Sequence, residues 1–512
     1  MNLSDQLSLT AKDHLSKPAY IFNGEATDYK TLEGSVTKFA SSLESLGYQK
    51  GDHVALVVGN TPHFVIGLYG ALRLGLTVVP VNPLYTGNEL SYILNNGDVK
   101  GVITLDVLLE KFEAIDDQLN IKDYIVGETD PQLRDRQSPL ENKVHSFMNL
   151  VQSGSLEFNR PTLDDDDTAV ILYTSGTTGK PKGAMLTHKN LYSNAKDTGN
   201  YLQIDENDRV IAALPMFHVF CLTVALNAPL VSGSTVLIVP QFSPETVFNI
   251  TREHSATVFA GVPTMYNYLL QYPNEDEKDF SSIRLCISGG ASMPVALLEK
   301  FEQHFDVQVS EGYGLSEASP VTAFNPLDRP RKAGSIGTDI TNVTNKVVDQ
   351  NGEEVPRGEV GELVVQGPNV MKGYYKMPEE TQASIKDGWL YTGDMAQQDD
   401  EGYFYIVDRK KDLILVGGYN VYPREVEEVL YSHDNITEVA VIGVPDENLG
   451  EAVVAFVVSN NPELTEAELR ELSEAQLAKY KQPKQINFLD ELPKNTTGKI
   501  LRRSLRDHVA TN

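Results

Sequence analysis

Cysteine is nearly absent from this chain: two thiols, Cys221 and Cys286, serve 512 residues. Both lie inside apolar sequence, which excludes a disulfide framework and predicts buried thiols in a reducing compartment. Positive charge is short as well. Lysine and arginine number 43 against 71 acidic residues, a formal net charge of −28. Such a balance argues against nucleic acid or an anionic membrane surface as the main partner. No apolar run approaches the length of a membrane span, so integral membrane association is not expected. Residues 1–20 mix Asp5, Lys12 and Asp13 with polar side chains and lack the apolar core of a signal peptide, and the expected location is cytoplasmic. The familiar nucleotide loops are missing too. The one loop rich in glycine and lysine holds no G-x-G-x-x-G and has Pro181 where a Walker A loop has its second glycine.

What the chain does hold is organised in layers. A length of 512 residues with 41% hydrophobic and 22% charged composition suits a globular protein of roughly two to four domains. A helical stretch to about Leu46, stopped by Gly47, precedes a strand at His53–Val58, a helix near Phe64–Leu74 and a strand at Thr77–Pro80. Apolar runs at Tyr124–Val126, Val170–Leu172, Val210–Leu214, Thr235–Val239, Thr257–Ala260 and Leu285–Ser288 continue the alternation. This predicts parallel α/β layers. Beyond about Pro320 short strands separated by Gly, Asp and Asn turns, as at Lys346–Asp349 and Gly361–Val365, predict a small antiparallel sheet or barrel. After Arg409 an α+β pattern follows, with a helix near Pro423–Tyr431, strands at Ala440–Val444 and Ala452–Val458, a helix near Glu466–Lys479 and a basic tail. The four aspartates Asp164–Asp167 read as a solvated linker rather than a metal site.

The most informative run is Tyr173–Gly183, Tyr-Thr-Ser-Gly-Thr-Thr-Gly-Lys-Pro-Lys-Gly, which gathers hydroxyls, glycines and two lysines. It follows an apolar strand, Ala169–Leu172, and precedes a helix expected from about His188 with Thr187 as its cap. The expectation is a glycine-rich turn between strand and helix, whose backbone N–H groups can approach an anion closely.

This run resembles the phosphate loop of the adenylate-forming superfamily, which contains acyl-CoA synthetases, peptide-synthetase adenylation domains and beetle luciferases. The resemblance implies that Thr174, Ser175, Gly176, Thr177, Thr178, Gly179, Lys180 and Lys182 hold the phosphates of ATP. Further motifs agree. Gly312-Tyr313-Gly314-Leu315-Ser316-Glu317 is similar to the second core motif, with serine where relatives commonly have threonine. By that likeness Gly312 and Tyr313 face adenine, Ser316 touches the α-phosphate and Glu317 binds Mg²⁺. Ser288-Gly289-Gly290-Ala291 would let backbone at Gly290 and Ala291 lie against a flat base. Tyr391-Thr392-Gly393-Asp394 resembles the ribose motif, where Asp394 accepts hydrogen bonds from hydroxyls. Arg409 corresponds to the arginine that meets ribose and phosphate. Lys499, after Thr496-Thr497-Gly498, takes the place of the adenylation lysine.

The family also implies its fold: a large N-terminal α/β domain, residues 1–408, made of two parallel α/β layered subdomains plus a small β-barrel at about 321–400. A small mobile α+β C-terminal domain, residues 409–512, follows a hinge near Lys411. Turning of that domain would present Gly417 and Gly418 to the pantetheine arm of coenzyme A. His218 falls where relatives commonly have a histidine at the carboxylate entrance of the acyl pocket. The chain looks most like bacterial fatty-acyl-CoA synthetases of the medium- to long-chain kind, with ATP, Mg²⁺ and coenzyme A as cofactors. An aryl or coumarate-type acid ligase, an enzyme loading a carrier protein, and a nucleotide-binding regulator stay as alternatives, and a homodimer stays open.

Overall fold

The computed structural model describes residues 1–130, 133, 138–174, 180–273, 280–446 and 448–510. Two large, mostly parallel sheets dominate the first two-thirds of the chain. The nine-stranded sheet runs in the order Thr338–Asp339, Val321–Phe324, Val309–Gly314, Leu285–Ser288, Val258–Gly261, Arg209–Ala212, Thr235–Ile238, Pro18–Phe22, Glu25–Asp28. Its strands are parallel from Val309–Gly314 to Pro18–Phe22, with antiparallel edges. The eight-stranded sheet runs Gly373–Tyr374, Lys182–Thr187, Thr168–Thr174, Thr77–Pro80, His53–Leu56, Val99–Leu105, Asp123–Gly127, Val144–Ser146. Its centre is parallel as well.

The apolar runs form strands because both faces of these sheets are covered. Every residue of Thr77–Pro80, Val258–Gly261 and Leu285–Ser288 is buried. One continuous core joins the two sheets through the helices Tyr29–Ser45 and Pro62–Leu74. The stop read from sequence at Gly47 holds, with φ +89°, and Gly75 ends the second helix in the same way at φ +80°. Cys221 and Cys286 are buried free thiols. No helix among the described residues is long and apolar enough to cross a membrane.

The phosphate-loop expectation needs one correction. Thr168–Thr174 pairs antiparallel with Lys182–Thr187, Thr174 opposite Lys182, so the loop joins two strands of one hairpin and not a strand to a helix. The helix His188–Tyr201 begins only after the second strand, capped by Thr187 in a reciprocal box with Asn190. The sequence signal failed because Lys182–Thr187 has only a short apolar stretch, Ala184–Leu186, inside the expected turn and cap.

After the large sheets comes a five-stranded antiparallel unit. Thr344–Val348, Gly361–Gln366, Trp389–Gln398 and Ile385–Lys386 are ordered in that sequence, and Phe404–Arg409 pairs with Trp389–Gln398. The last sheet sets Tyr419–Val421, Ile414–Val416, Gly450–Ser459 and Ile436–Asp446 side by side, with Gln485–Phe488 parallel to Gly450–Ser459. The basic tail is not a free tail. Arg502–Ala510 is a helix, Leu505 is buried, and Arg502 pairs with Glu427 at 2.7 Å. The aspartates Asp164–Asp166 are exposed, as a linker should be, while Asp167 pairs with Lys50 at 2.7 Å.

Candidate active site

In the nine-stranded sheet the chain leaves Arg209–Ala212 toward Thr235–Ile238 on one side and returns to Val258–Gly261 on the other. Such a reversal opens a crevice at the carboxyl ends of the strands, the usual place for a ligand in an open α/β sheet. The motif residues lie just past those ends. Arg209–Ala212 leads to His218, Val258–Gly261 to Val262 and Thr264, Leu285–Ser288 to Gly289–Ala291, and Val309–Gly314 runs through Gly312 and Tyr313 into the short turn Ser316–Ala318.

Gly290 has φ +78° and, with Ala291, is exposed, while Gly289 is buried against Phe220. Gly312 has no room for a side chain, since a Cβ there would stand 2.0 Å from the Phe324 ring. His218 is reached by a stiff path. Buried Asn60, beyond the His53–Leu56 strand, donates to the carbonyls of Ala212, Leu214 and Val239 and accepts from Met216 N–H at 2.8 Å. Burial and the nearby Lys499 charge lower the His218 imidazole to about 4, so it is neutral at pH 7.

Glu317 is partly buried, and Tyr374 donates its hydroxyl to Glu317 Oε1 at 2.8 Å. The Lys182 ammonium lies 5.3 Å from the centre of the Tyr374 ring. A chain of contacts therefore runs from the phosphate-loop hairpin to the carboxylate. Lys180 is exposed, and Ser175, Gly176, Thr177, Thr178 and Gly179 lie outside the described residues. Among the described residues no cluster of three or more His, Cys, Asp or Glu could hold a metal by itself. A single hard carboxylate fits Mg²⁺, which keeps several waters and is completed by substrate phosphates.

Asp394 and Arg409 are opposite residues in the ladder between Trp389–Gln398 and Phe404–Arg409, with Arg409 Nε 3.6 Å from Asp394 Oδ1. The Tyr313 hydroxyl donates to Asp394 Oδ2, joining the aromatic motif to the ribose motif. Burial pushes the Tyr313 phenol well above its ordinary value, so it stays a donor.

Lys499 enters the same space from the C-terminal segment. Burial, then the Arg409 charge, lower its ammonium to about 8; Asp394 opposes the shift, and Lys411 and Arg502 add to it. Gly498, at φ +79°, would meet Val262 at 3.1 Å if it carried a Cβ. The structure thus gathers Lys499, His218, Asp394, Arg409 and Tyr313. It does not bring Gly417 and Gly418 there. They form an exposed hairpin tip at φ +57° and +86°, next to exposed Leu415, Tyr419 and Leu449. Lys411 is exposed on the segment between Arg409 and that hairpin.

Sequence reasoning missed Tyr374, Asn60 and Asn82, which touch these groups or their loops. Tyr374 carries no local pattern. The two asparagines follow the ends of parallel strands, and that position was the available signal.

Known proteins give the same answer. Residues 7–375 match the model of the AMP-binding enzyme family, and residues 425–499 match that of the AMP-binding enzyme C-terminal domain. The chain is 41% identical to a long-chain-fatty-acid–CoA ligase of Bacillus subtilis, over 97% of this chain and 92% of that one. Among solved structures it is similar to ATP-bound MatB from Rhodopseudomonas palustris, at TM-score 0.89, 33% identity and 99% coverage of both chains. It is also similar to a benzoate CoA ligase from Burkholderia xenovorans, at TM-score 0.89 and 30% identity over 99% of this chain and 100% of that one. With motif order, crevice and both domains in agreement, the chain belongs to the AMP-binding enzyme family, the adenylate-forming superfamily its motifs resemble.

Proposed function

We propose that this chain is an ATP-dependent acyl-CoA synthetase that activates a fatty acid of medium to long chain. The carrying observation is the partly buried Lys499 ammonium, held among His218, Arg409 and Asp394 beyond the strand ends. A carboxylate oxygen attacks the α-phosphorus of ATP, pyrophosphate leaves, and an acyl-adenylate forms. The thiol of coenzyme A then loses its proton and attacks the acyl carbon, and AMP leaves.

In this reading Lys499 bridges substrate carboxylate and α-phosphate oxygen and offsets the charge that builds on phosphorus. Ser316 donates to the same phosphate. Thr174 to Lys182 cradle the outer phosphates, Gly290, Ala291, Gly312 and Tyr313 enclose adenine, and Asp394 with Arg409 hold the ribose. His218, neutral, borders the carboxylate entrance without competing as a cation. Glu317 would hold Mg²⁺, which when bound neutralises phosphate charge. The two family segments, ending at 375 and starting at 425, support domains at 1–408 and 409–512 with a hinge at Lys411. Rotation there would exchange the Lys499 loop for the Gly417–Gly418 tip, whose lack of side chains suits passage of a pantetheine arm.

The likeness to a long-chain-fatty-acid–CoA ligase over 97% of the chain favours an aliphatic acid. A second reading, an aryl acid, draws on the benzoate CoA ligase fold match. Acid-dependent AMP release, with and without coenzyme A, across benzoate, cinnamate, octanoate and palmitate separates them. Strongest turnover with octanoate or palmitate is expected; turnover confined to the aromatic acids refutes the aliphatic reading, and ADP with orthophosphate from every acid refutes the chemistry.

A further inference from the structure

The loop that carries Lys499 is a self-bonded turn. The Asn495 side-chain oxygen accepts from Thr497 N–H at 3.0 Å, the Thr497 hydroxyl at 2.8 Å and Lys499 N–H at 2.9 Å. Backbone bonds from Asn495 N–H to Lys499 O at 2.9 Å and from Gly498 N–H to Asn495 O at 3.0 Å close it. A turn bonded in this way moves as one piece, so whatever holds Thr496 or Gly498 also aims Lys499.

Two side chains from the body of the protein hold it, one from each large sheet. Thr264, at the carboxyl end of Val258–Gly261, donates its hydroxyl to Gly498 O at 3.1 Å. Asn82, at the carboxyl end of Thr77–Pro80, donates Nδ2 to the Thr496 hydroxyl at 2.9 Å across 414 positions of sequence. The Asn82 amide is oriented before it makes that contact. Its Oδ1 accepts from Leu84 N–H at 3.0 Å, which leaves Nδ2 facing the loop, and the residue is 7% exposed. Thr496 is exposed apart from this bond. The Thr77–Pro80 strand of the eight-stranded sheet thus leads, two residues beyond its end, to an amide that reaches the lysine loop.

We infer that Asn82, through Thr496, is a positioning residue for Lys499: with Thr264 it grips the turn from two sides and sets the ammonium over the crevice. This rests on the adenylation role proposed for Lys499. Asn82 touches no reacting atom, so its loss should slow acyl-adenylate formation and spare transfer of the acyl group to coenzyme A.

The test uses the full-length protein and two readouts. Thr496→Ala removes an exposed hydroxyl with little risk to folding, Thr496→Ser keeps the hydroxyl, and Asn82→Ala removes the donor. A net hydrogen bond of this kind is worth a factor of about 3 to 10. Carboxylate-dependent ATP–pyrophosphate exchange should slow by about that factor in Thr496→Ala and Asn82→Ala, no further in the double variant, and recover in Thr496→Ser. Thioester formation from supplied acyl-adenylate should stay at the parental rate. Without any substrate, amide hydrogen exchange at residues 495–499 should quicken in Thr496→Ala and Asn82→Ala. Equal losses in both half-reactions, strictly additive losses, or unchanged amide protection in Thr496→Ala would overturn the inference. A parental protein inactive in exchange with every acid would instead refute the proposed function, and the amide readout would still decide whether Asn82 holds the turn.

Discussion

Lys499→Met should make the protein more stable while removing its first half-reaction. In the folded chain the ammonium is lowered from 10.5 to about 8, chiefly by burial and then by Arg409. At 1.36 kcal/mol per pH unit, holding that charge costs the fold up to about 3 kcal/mol at neutral pH. The sign follows from proton counts. Between about pH 8 and 10.5 the unfolded lysine binds a proton that the folded one has released, so the penalty shrinks as pH rises and is full below 8. Methionine keeps the length of the stem without the charge. With an unfolding entropy of about 2.1 cal/mol/K per residue, each kcal/mol moves the melting temperature of a chain this long by about 1 °C. The variant should therefore melt about 1–3 °C above the parent at pH 7, and the two should converge toward pH 10. Pyrophosphate exchange should fall by about 10²- to 10³-fold, with thioester formation from supplied acyl-adenylate retained. Differential scanning fluorimetry across pH and the two half-reaction assays read these effects. A variant that melts at or below the parent at pH 7 would refute the buried-charge argument, and equal loss of both half-reactions would refute the division of labour.

The same lysine predicts a pH profile: kcat/KM for adenylation should decline above about pH 8, where the ammonium of the free enzyme is lost, and a profile flat to pH 9.5 would count against it. Glu317→Gln should raise the Mg²⁺ concentration needed for half-maximal exchange, and Tyr374→Phe should do so by about 3- to 10-fold through the loosened carboxylate. An unchanged Mg²⁺ requirement in Glu317→Gln removes Glu317 from the metal site. Gly418→Leu should block attack by coenzyme A while exchange continues; its φ of +86° adds about 1 kcal/mol of strain, readable as a slightly lower melting temperature. If exchange drops as steeply as thioester formation, the hairpin tip has another role.

Much of this was legible in the sequence because the relevant signals are local. Apolar runs located the buried strands, and the helix expected near Pro423–Tyr431 spans those residues. The motif residues Tyr313, Asp394, Arg409 and Lys499 were named from short patterns, and the fold gathers them from strands far apart in the chain. What stayed hidden depends on pairing. The Lys182–Thr187 strand is defined by its partner Thr168–Thr174, and its own apolar stretch, Ala184–Leu186, is too short to announce a strand. Tyr374, in a two-residue strand against Ala184, became visible only through its contact with Glu317. The pairing of the basic tail was hidden because the partner of Arg502, Glu427, lies 75 positions earlier.

One ladder has a reach beyond its own length. Asp394 and Arg409 face each other on neighbouring strands, and the second of those strands leads directly into the turn at Lys410 and Lys411, where the hinge is proposed. A nucleoside held between that acid and that guanidinium, as proposed, would sit at the root of that turn. With the hinge proposed at Lys411, whatever enters or vacates that seat would change how firmly the closing piece is anchored.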